Sequence, residues 1–374
     1  MIISGTFLKR LFKFIYLIYF ILLCILDVFL FLKKPKKRNK KNILFIKLDR
    51  FGDFVLWNEH FNKLIKYYSD SNIYLVCRPE IKNFLIQHYK KINFINVNKY
   101  FFLFNIKYRY MVLSNLRNFY FDQIINFHRE RDIYFSDMFS KIPQSQKKIG
   151  NKLQKDKILN RLSNFCYDIL IPTENNTHES TYLNKFTDAI IKKNVKKRYL
   201  IKFKKNKKLK KYKDSILIAF GGTDKKKTVS LDKILSSLNF KENKKKIILA
   251  GNPEELKYLK KNYFFYEKNI INLTGKTNFD DFIYLHFLSK IIISNDSVSG
   301  HLAHHFKKVS YTFLGGGHFK RFFPYPISDK SKNKYFYKEK SCFNCNWNCI
   351  YDNLKIKKYP CIEEIEMKNI SINI

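Results

Sequence analysis

The feature that most constrains this fold is a repeated order of short apolar runs, each followed at once by glycine or small polar residues. Asn42–Leu48, Ile73–Cys77 and Phe121–Phe127 have the length of buried strands, and Phe54–Tyr68 is helix-like. The order strand, glycine turn, helix, strand is typical of a parallel α/β sheet with helices packed on it. The first half of the chain therefore predicts a Rossmann-like α/β domain.

A second series of five such runs follows a Lys-rich segment. The runs are Ser215–Phe220, Lys246–Ala250, Asn269–Leu273, Lys290–Ser294 and Val309–Leu314. Each is followed by glycine or small polar residues, and ligands of open parallel sheets bind at these carboxyl ends. Two such halves predict two α/β domains that face a cleft.

The predicted organisation of the chain has five parts. They are a hydrophobic helix with a basic linker (1–41), a first α/β domain (42–194), a linker (195–213), a second α/β domain (214–335) and a Cys-rich segment (336–374).

The N-terminal apolar run Phe14–Leu32 has 19 residues, enough to cross a hydrocarbon core of about 30 Å. No small-residue cleavage site follows it, so a signal peptide is not expected. The heavier basic flank is C-terminal, which predicts that the rest of the chain is cytoplasmic. Asp27 interrupts the run. The run either spans the membrane, lies in its plane or packs on its own domain; we favour membrane attachment.

The charge balance is strongly basic, with 72 Lys and Arg against 31 Asp and Glu, a net charge of +41. This excess indicates an anionic partner such as nucleic acid, anionic lipid or a phosphorylated substrate. The charge is spread along the chain, however, and runs such as Lys204–Lys213 read as solvated surface. The apolar N-terminus and the glycine loops argue against a nucleic-acid-binding protein. A hydrophobic content of 45% excludes a disordered tail, and seven cysteines are too few for a disulfide scaffold.

The loop after the first strand places Gly52 at a tight turn and Asp53 at the start of a helix. A carboxylate at that position either acts as a general base on an acceptor hydroxyl or caps the helix.

The segment Ser294–Ala303 also follows a strand and opens a helix. The free N–H groups and dipole of a helix N-terminus suit a diphosphate, and Ser297, Ser299 and His301 could add donors. The alternative is an N-cap with a satisfied histidine. Two further strand-end loops are candidates for an anion site. They are Gly221-Gly222-Thr223 with Lys225–Lys227, and Gly315–Gly317 with His318, Lys320 and Arg321.

These motifs together resemble glycosyltransferase family 9, the lipopolysaccharide heptosyltransferase family. The resemblance begins at ILFIKLDRFGDFVL and continues through KKIG, HES, the Gly221-Gly222 loop, INLTGKT and SNDSVSGHLA. It covers about residues 42–330. The family usually reads Asn-Asp-Ser/Thr-Gly-x-x-His in the last motif, where this chain has Val298 in place of the glycine.

The resemblance implies a GT-B fold, in which the first domain takes the acceptor and the second binds the nucleotide sugar. It implies an inverting transfer from a nucleotide-diphosphate sugar, ADP-heptose in the well-known members, to a lipopolysaccharide core or related surface glycan. Neither a catalytic metal nor nucleic acid is expected. A catalytically idle binding protein on the same fold is the alternative, and the presence of Asp53 argues against it.

The site residues carried over by the resemblance start with the catalytic aspartate, Asp53, and the phosphate-binding lysine, Lys227. The predicted donor site consists of Gly221, Gly222, Thr223, Lys227, Asn295, Asp296, Ser297, Ser299, His301, Gly316, Gly317 and His318. The predicted acceptor side consists of Arg50, Gly52, His128 and Arg129; the segment around His128 could equally be a solvated helix start.

Four of the seven cysteines gather at Cys342, Cys345, Cys349 and Cys361. Four thiolates suit a tetrahedral structural zinc ion, although three cysteines within eight residues match no standard zinc ribbon. A structural zinc site and plain free thiols both stay open, and disulfides are not expected in a reducing compartment.

Overall fold

The structure is a computed structural model that describes residues 18–23, 25, 27, 29–32, 34, 40–154, 157–174, 177–192, 198–222, 224–238, 245–259, 269–326, 332–352 and 356–366. Its chain divides into two compact units that interleave along the sequence. The first unit is Met1–Arg50, Phe61–Thr173 and Lys185–Val195; the second is Phe51–His60, Glu174–Asn184 and Lys196–Ile374. The domain bounds drawn from the sequence stay a prediction.

The first unit is built on a parallel sheet of six strands in the order β3-β2-β1-β4-β5-β6. The strands are β1 (Asn42–Ile46), β2 (Asn72–Cys77), β3 (Ile92–Asn96), β4 (Tyr120–Asn126), β5 (Gln144–Asn151) and β6 (Ile169–Ile171). The helices of this half of the chain are α1 (Phe51–Tyr67), α2 (Pro79–Leu85), α3 (Lys99–Phe104), α4 (Ile106–Arg117), α5 (Met138–Lys141), α6 (Ile158–Asn164) and α7 (Glu179–Ile191).

The centre of this sheet shows why the apolar runs form strands. Every residue of β1 is buried, and Ile43 pairs with Ile73 of β2 and Gln123 of β4. A central parallel strand is covered on both faces, which requires an unbroken apolar run instead of an alternating one. The strands predicted around β1, β2 and β4 are confirmed. Strands β3, β5 and β6 were not predicted, and β5, QSQKKIGN, lacks the apolar run on which the prediction depended.

The second unit carries another parallel sheet of six strands, in the order β12-β11-β10-β7-β8-β9. The strands are β7 (Ile216–Ala219), β8 (Ile247–Leu249), β9 (Ile270–Asn272), β10 (Ile291–Asn295), β11 (Val309–Phe313) and β12 (Asn333–Phe336). Its helices are α8 (Leu231–Ser236), α9 (Phe279–Leu288), α10 (Val298–His305) and α11 (Pro360–Glu363). All five strands predicted for this half are confirmed; β12 was not predicted.

The predicted apolar helix over Phe14–Leu32 is not supported as one continuous element by the residues that the structure describes. Residues 18–23, 25 and 27 are helical and a 3-10 turn spans Phe29–Leu32, while 1–17 lie outside the description. Phe20, Leu23 and Leu30 are buried in the core of the first unit. Within the described residues, no helix has the length and apolar character needed to cross a membrane.

Candidate active site

The carboxyl edge of the second sheet places the predicted donor motif at the start of a helix. Strand β10 ends at Asn295, Asp296 and Ser297 form the turn, and α10 begins at Val298. Ser297 is the N-cap residue, and its side chain accepts a hydrogen bond from the Ser299 N–H at 3.4 Å. The hydroxyl of Ser297 thus accepts a hydrogen bond from one backbone N–H group at the start of the helix. The other N–H groups of the first turn point out of the end of the helix.

The first turn of α1, which carries Gly52 and Asp53, lies against this same helix start, within the second unit. The tight turn predicted at Gly52 is wrong, because Gly52 is already helical. A Cβ atom on Gly52 would stand 3.6 Å from Cδ2 of His301 and 3.7 Å from Cα of Val298. A methyl group at residue 52 would therefore be in van der Waals contact with α10, so the two helix starts lie close together, and Asp53 follows Gly52 in the first turn of α1. Two motifs separated by more than 240 residues in the sequence meet here.

Two carboxyl groups share this corner of the unit. Burial, and then the negative charge of Asp53, raise the pKa of Asp296 from 3.8 to about 7. A second carboxylate nearby disfavours ionisation because like charges repel in a region that water screens poorly. About half of the Asp296 carboxyl groups therefore carry a proton at neutral pH, and the negative charge of Asp53 favours this form.

His301 is held by aromatic neighbours. Its Nδ1 lies 2.9 Å from the Tyr325 hydroxyl, and its ring stacks on Phe323 at 4.4 Å between centroids. Burial, with His178 and His304 nearby, lowers the pKa of His301 well below 6.5. The imidazole is therefore neutral at physiological pH, so it can offer a hydrogen bond but no charge.

His178 fixes the loop that supplies these aromatic rings. Its two ring nitrogens lie 2.8 Å from the Phe322 carbonyl and 2.7 Å from the Ser180 hydroxyl. The adjacent Glu179 pairs with Arg321 at 3.4 Å. The HES motif thus holds the loop before Tyr325 in place through Phe322 and Arg321. The sequence analysis did not single out Tyr325.

Asn295 serves to join strands in this structure. Its side-chain amide donates to the Phe220 carbonyl at 2.7 Å and accepts from the Val229 N–H at 2.8 Å. Because both sides of the amide are used, Asn295 ties the end of β10 to the loop after β7. Its predicted contact with a donor molecule stays a prediction.

The loop after β7 shows a carboxylate that sequence reasoning missed. A Cβ atom on Gly221 would fall 1.8 Å from Oε1 of Glu255, so only glycine leaves room for this side chain. Glu255 also accepts from the Asn252 N–H at 3.0 Å, and burial raises its pKa to about 7. The capping-box pattern Asn252–Glu255 is the sequence signal that could have drawn attention to it.

Lys227, the predicted phosphate-binding lysine, lies in a short 3-10 turn over Lys225–Lys227. Its Nζ stands 4.7 Å from the ring centroid of Trp347 and 3.9 Å from a carboxylate oxygen of Asp224. An indole face attracts and orients an ammonium group. Gly222 adjoins the same turn, packed on Thr228, and Thr223 lies outside the described residues.

The Gly315–Gly317 loop is covered by aromatic side chains of the Cys-rich segment. A Cβ atom on Gly316 would meet Phe343 at 2.3 Å, and one on Gly317 would meet Trp347 at 2.2 Å. Because these glycines have no side chains, the rings of Phe343 and Trp347 can pack directly on the backbone. His318 lies beside Trp347, with 6.3 Å between ring centroids. Donor contacts from Gly316, Gly317 and His318 stay a prediction.

The carboxyl edge of the first sheet holds a separate polar cluster. His128 accepts from the Leu48 N–H at 2.7 Å through Nε2, and its Nδ1 pairs with Asp49 at 3.1 Å. Lys47 contacts the other oxygen of Asp49 at 2.7 Å. Burial would raise the pKa of Asp49, but the electrostatic attraction and hydrogen bonds of His128 and Lys47 outweigh it and hold that pKa well below its usual range. His128 is therefore engaged within its own unit.

The other predicted acceptor-side residues occupy different settings. Arg50 is exposed, Gly52 belongs to the second unit, and Arg129 is half-buried, with its carbonyl accepting from the Asn151 amide at 2.7 Å. Arg131 next to it is fully buried and pairs with Asp137 at 3.2 Å. Part of the segment that follows β4 is therefore structural, and the acceptor role of Arg50, His128 and Arg129 stays a prediction.

The four C-terminal cysteines line one small cavity of about 10 Å³, together with Trp347 and Tyr359. Burial raises the pKa of the Cys345 and Cys361 thiols, and the neighbouring thiols raise it further. Across the described part of the chain, no group of three or more His, Cys, Asp or Glu side chains is arranged to hold a metal ion.

The family model of glycosyltransferase family 9 (heptosyltransferase) matches residues 178–346. This range begins at the HES motif and includes the Gly221 loop, β10, α10 and the first two cysteines of the C-terminal cluster. No curated protein matches the chain.

Several solved structures share the fold. A glycosyltransferase family 9 protein of Veillonella parvula is 15% identical, with a TM-score of 0.61, and the match covers 81% of this chain and 88% of that one. The E. coli heptosyltransferase WaaC, solved with ADP-2-deoxy-2-fluoro heptose, is 13% identical, with a TM-score of 0.59 and coverage of 79% and 92%. The E. coli ADP-heptose lps heptosyltransferase II is 15% identical, with a TM-score of 0.55 and coverage of 80% and 91%.

At these identities the structural likeness shows the fold, two parallel α/β sheets as in the GT-B heptosyltransferases. The family match adds the sequence pattern of the site. The resemblance to glycosyltransferase family 9 is thereby confirmed over residues 178–346, and with it the class of enzyme, a glycosyltransferase.

Proposed function

We propose that this protein transfers a heptose from ADP-heptose to a lipopolysaccharide core or related surface glycan, with inversion at the anomeric carbon. The observation that carries the proposal is the meeting of the first turn of α1 with the N-terminus of α10, which brings the Asp53 carboxylate beside an anion-binding helix end. The general base and the site of the leaving group then lie side by side within the second unit.

The donor diphosphate would lie at the first turn of α10. Free N–H groups and the helix dipole favour an anion there. Partial protonation of Asp296 would reduce the negative charge near this turn, since the pKa of Asp296 is raised to about 7. Lys227, positioned by Trp347, would add a positive charge on the phosphates.

The ribose of the donor would be recognised by Glu255. A carboxylate at the carboxyl end of a parallel sheet is a common partner of ribose hydroxyl groups. Glu255 lies over the backbones of Gly221 and Gly251, which follow β7 and β8. Glu255 is buried from water, so the ribose hydroxyl groups would donate the hydrogen bonds that water cannot.

In the transfer step, Asp53 accepts the proton of the acceptor hydroxyl as that oxygen forms a bond to the anomeric carbon. The bond between the anomeric carbon and the diphosphate oxygen breaks at the same time, and the electron pair leaves with ADP. The α10 N-terminus and Lys227 stabilise the charge that develops on this oxygen. Attack opposite the leaving group inverts the configuration.

The test is calorimetric titration of the full chain with ADP, UDP and GDP. We expect micromolar ADP binding, lost in Asp296→Ala and kept in Asp53→Asn. The exposed Asp232→Asn on α8 is the matched control. Preference for UDP or GDP would retain the glycosyltransferase and change the sugar, whereas a folded protein that binds no nucleotide would contradict the proposal.

We further propose that the chain works at the cytoplasmic face of a bacterial inner membrane. The basic flank around residues 33–41 supports this orientation, because positive charge stays on the cytoplasmic side. Cell fractionation tests it: the protein should sediment with inner membranes and be released by a high-salt or alkaline wash only in part. Recovery of all the protein in the soluble fraction at low salt would contradict it.

We also propose a structural zinc ion at Cys342, Cys345, Cys349 and Cys361. Four thiols around one cavity match zinc in number and kind, although the described side chains are not arranged as metal ligands. Zinc binding would draw the thiols together and displace their protons. Elemental analysis of purified protein should find one zinc per chain, lost in Cys342→Ser with Cys349→Ser and kept in the control Cys166→Ser. A metal-free, fully folded wild type would contradict this site.

A further inference from the structure

The first unit exposes an apolar surface that its own core does not explain. We call the described residues between 18 and 32 the N-terminal segment. Five of its side chains contribute to this surface, with exposures from 44% at Ile18 to 64% at Phe29. The five are Ile18, Ile21, Leu22, Ile25 and Phe29. Their spacing of three or four residues places them on one side of a helix.

The opposite side of this segment packs inward. Phe20, Leu23 and Leu30 belong to the core of the first unit, and Asp27 is 5% exposed. The segment is therefore apolar on two sides: one side packs in the core of the first unit and the other is exposed. A helix that only had to pack on its domain would carry polar residues on its outer side.

The pairing of Asp27 explains how a carboxylate fits in this apolar run. Arg109 of α4 binds it with Nη2 at 2.5 Å and Nε at 3.1 Å from the same oxygen, and Arg109 is itself 2% exposed. Burial raises the pKa of Asp27, and the bond and charge of Arg109 oppose that rise. The charge is thus directed into the domain, so the outer side is free of it.

The outer side continues onto α3 and α4. Tyr19 donates to the Leu103 carbonyl at 2.8 Å and its ring stacks near Phe104 at 6.4 Å, so the segment lies directly against α3. Exposed apolar side chains of these two helices are Tyr100, Phe101, Phe104, Ile106, Tyr110 and Met111. We call these six and the five of the N-terminal segment the apolar face.

The charges around the apolar face have one sign. Residues 81–121, which include α3 and α4, contain seven Lys and Arg and no Asp or Glu; five of the seven are lysines, and the other two, Arg109 and Arg117, are buried. Residues 1–48 contain eleven Lys and Arg, and Asp27 is their single acidic residue. Exposed Lys99 and Lys107 lie among the apolar side chains themselves. An apolar surface rich in Tyr and Phe with basic neighbours fits an anionic lipid surface.

A second copy of the chain fits this surface less well. Two such faces would bring like charges together, in a protein whose net charge is +41. A bilayer with anionic headgroups instead satisfies both features at once, because acyl chains take the apolar side chains and phosphates take the lysines.

We propose that the apolar face docks the first unit onto an anionic bilayer, with the N-terminal segment lying in the membrane plane. The segment then needs no crossing of the hydrocarbon core, and Asp27 stays paired beneath it. Ile21, Ile25, Tyr110 and Met111 insert among the lipids, while Lys99 and Lys107 contact headgroup phosphates. This inference rests on the membrane location proposed above and is independent of the sugar that the enzyme transfers.

The test is co-sedimentation of the full chain with vesicles of phosphatidylethanolamine alone or mixed with phosphatidylglycerol. The wild type should bind the mixed vesicles and bind them less at high salt. Ile21→Gln with Ile25→Gln should weaken binding at least tenfold. Lys99→Glu with Lys107→Glu should weaken it on mixed vesicles and leave the remaining binding insensitive to salt.

The matched control is Ile350→Gln with Leu200→Gln, two exposed apolar positions of the second unit. It should bind vesicles as the wild type does. Equal weakening in this control, or full binding by Ile21→Gln with Ile25→Gln, would overturn the proposal. So would a wild type that forms a dimer dispersed by Ile21→Gln with Ile25→Gln and binds no vesicles, which would assign the face to a second copy.

Discussion

The carboxyl edges of the two sheets hold aspartates in opposite electrostatic settings. In the first unit, Asp49 pairs with His128 and Lys47, and its pKa lies well below the usual range. In the second unit, Asp296 lies near Asp53 and its pKa is raised to about 7. The same fold thus keeps one carboxylate ionised and lets another hold a proton.

This difference separates a structural role from a chemical one. Asp49 joins β1 to the residues after β4 and gains stability from being charged. Asp296 is held at a cost to stability, because burial and the negative charge of Asp53 disfavour its ionised form. Carboxyl groups with a raised pKa are frequent in active sites, where proton transfer is required.

The largest change in rate is expected for Asp53→Asn. We expect kcat for sugar transfer to fall by about 10²–10⁴, because the amide cannot accept the acceptor proton. The free energy of unfolding should change by less than about 1 kcal/mol, since the substitution keeps the shape of the side chain. Initial rates and urea denaturation of the same samples measure both. A small loss of rate would remove Asp53 from the chemistry.

Asp296→Asn should change how stability depends on pH. A carboxyl group whose pKa is raised on folding stabilises the protein below pH 3.8, and that contribution is lost as pH rises towards about 7. The unfolded chain ionises first in this window. A shift of about three pKa units corresponds to about 4 kcal/mol. Because Asp296 is only half-buried and partly screened by water, we expect the wild type to lose about 2 kcal/mol of unfolding free energy across this window through this group, and the variant to lose less.

Urea denaturation at several pH values measures this effect, with the exposed Asp232→Asn as control. Identical pH profiles for the wild type and Asp296→Asn would show that Asp296 titrates normally.

Asp49→Asn should have the opposite dependence. Its contribution is present above pH 3.8 and is lost as pH falls towards its lowered pKa. We expect a loss of about 1 kcal/mol at neutral pH, modest because the Asp49 side chain is 30% exposed and partly screened by water. The exposed Asp70→Asn serves as the control, and thermal unfolding is the measurement. An unchanged melting temperature would contradict the structural role.

The smallest effect concerns Lys227. Trp347→Leu removes the aromatic face beside its ammonium group, and a cation–π contact contributes about 0.5–1 kcal/mol at such a site. ADP affinity should therefore fall about two- to fivefold. Phe343→Leu, which packs on Gly316 instead, is the matched control for calorimetry. Equal losses in both variants would indicate a general loosening of the Cys-rich segment.

The strands that the sequence predicted correctly are those with an unbroken apolar run before a glycine or small polar turn. All eight of these were found, from β1 to β11. The missed strands, such as β5 with QSQKKIGN, are held by pairing with their neighbours, Ile149 with Ile125 and Ile169. β5 gives no strand signal because only its last three residues are buried, while the polar first part of the strand is partly exposed.

The residues of the candidate site also fall into those that the sequence could place and those that it could not. Motifs that lie within one loop, such as Ser297 at the start of α10, could be placed from the sequence. Glu255 could not, because its role depends on where Gly221 and Gly251 come together. Trp347 was missed for the same reason, since its partners are Lys227 and Gly317 from other parts of the chain.

The sequence by itself determined the alternation of strands, loops and helices, the family pattern and the location of the candidate loops. These properties depend on residues a few positions apart, where periodicity and capping act. The tertiary structure alone decided that Asp27 pairs with Arg109, that His128 holds Asp49 and that Asp296 lies near Asp53. Pairings across long stretches of chain depend on packing, and packing sets the burial and charge that fix each pKa.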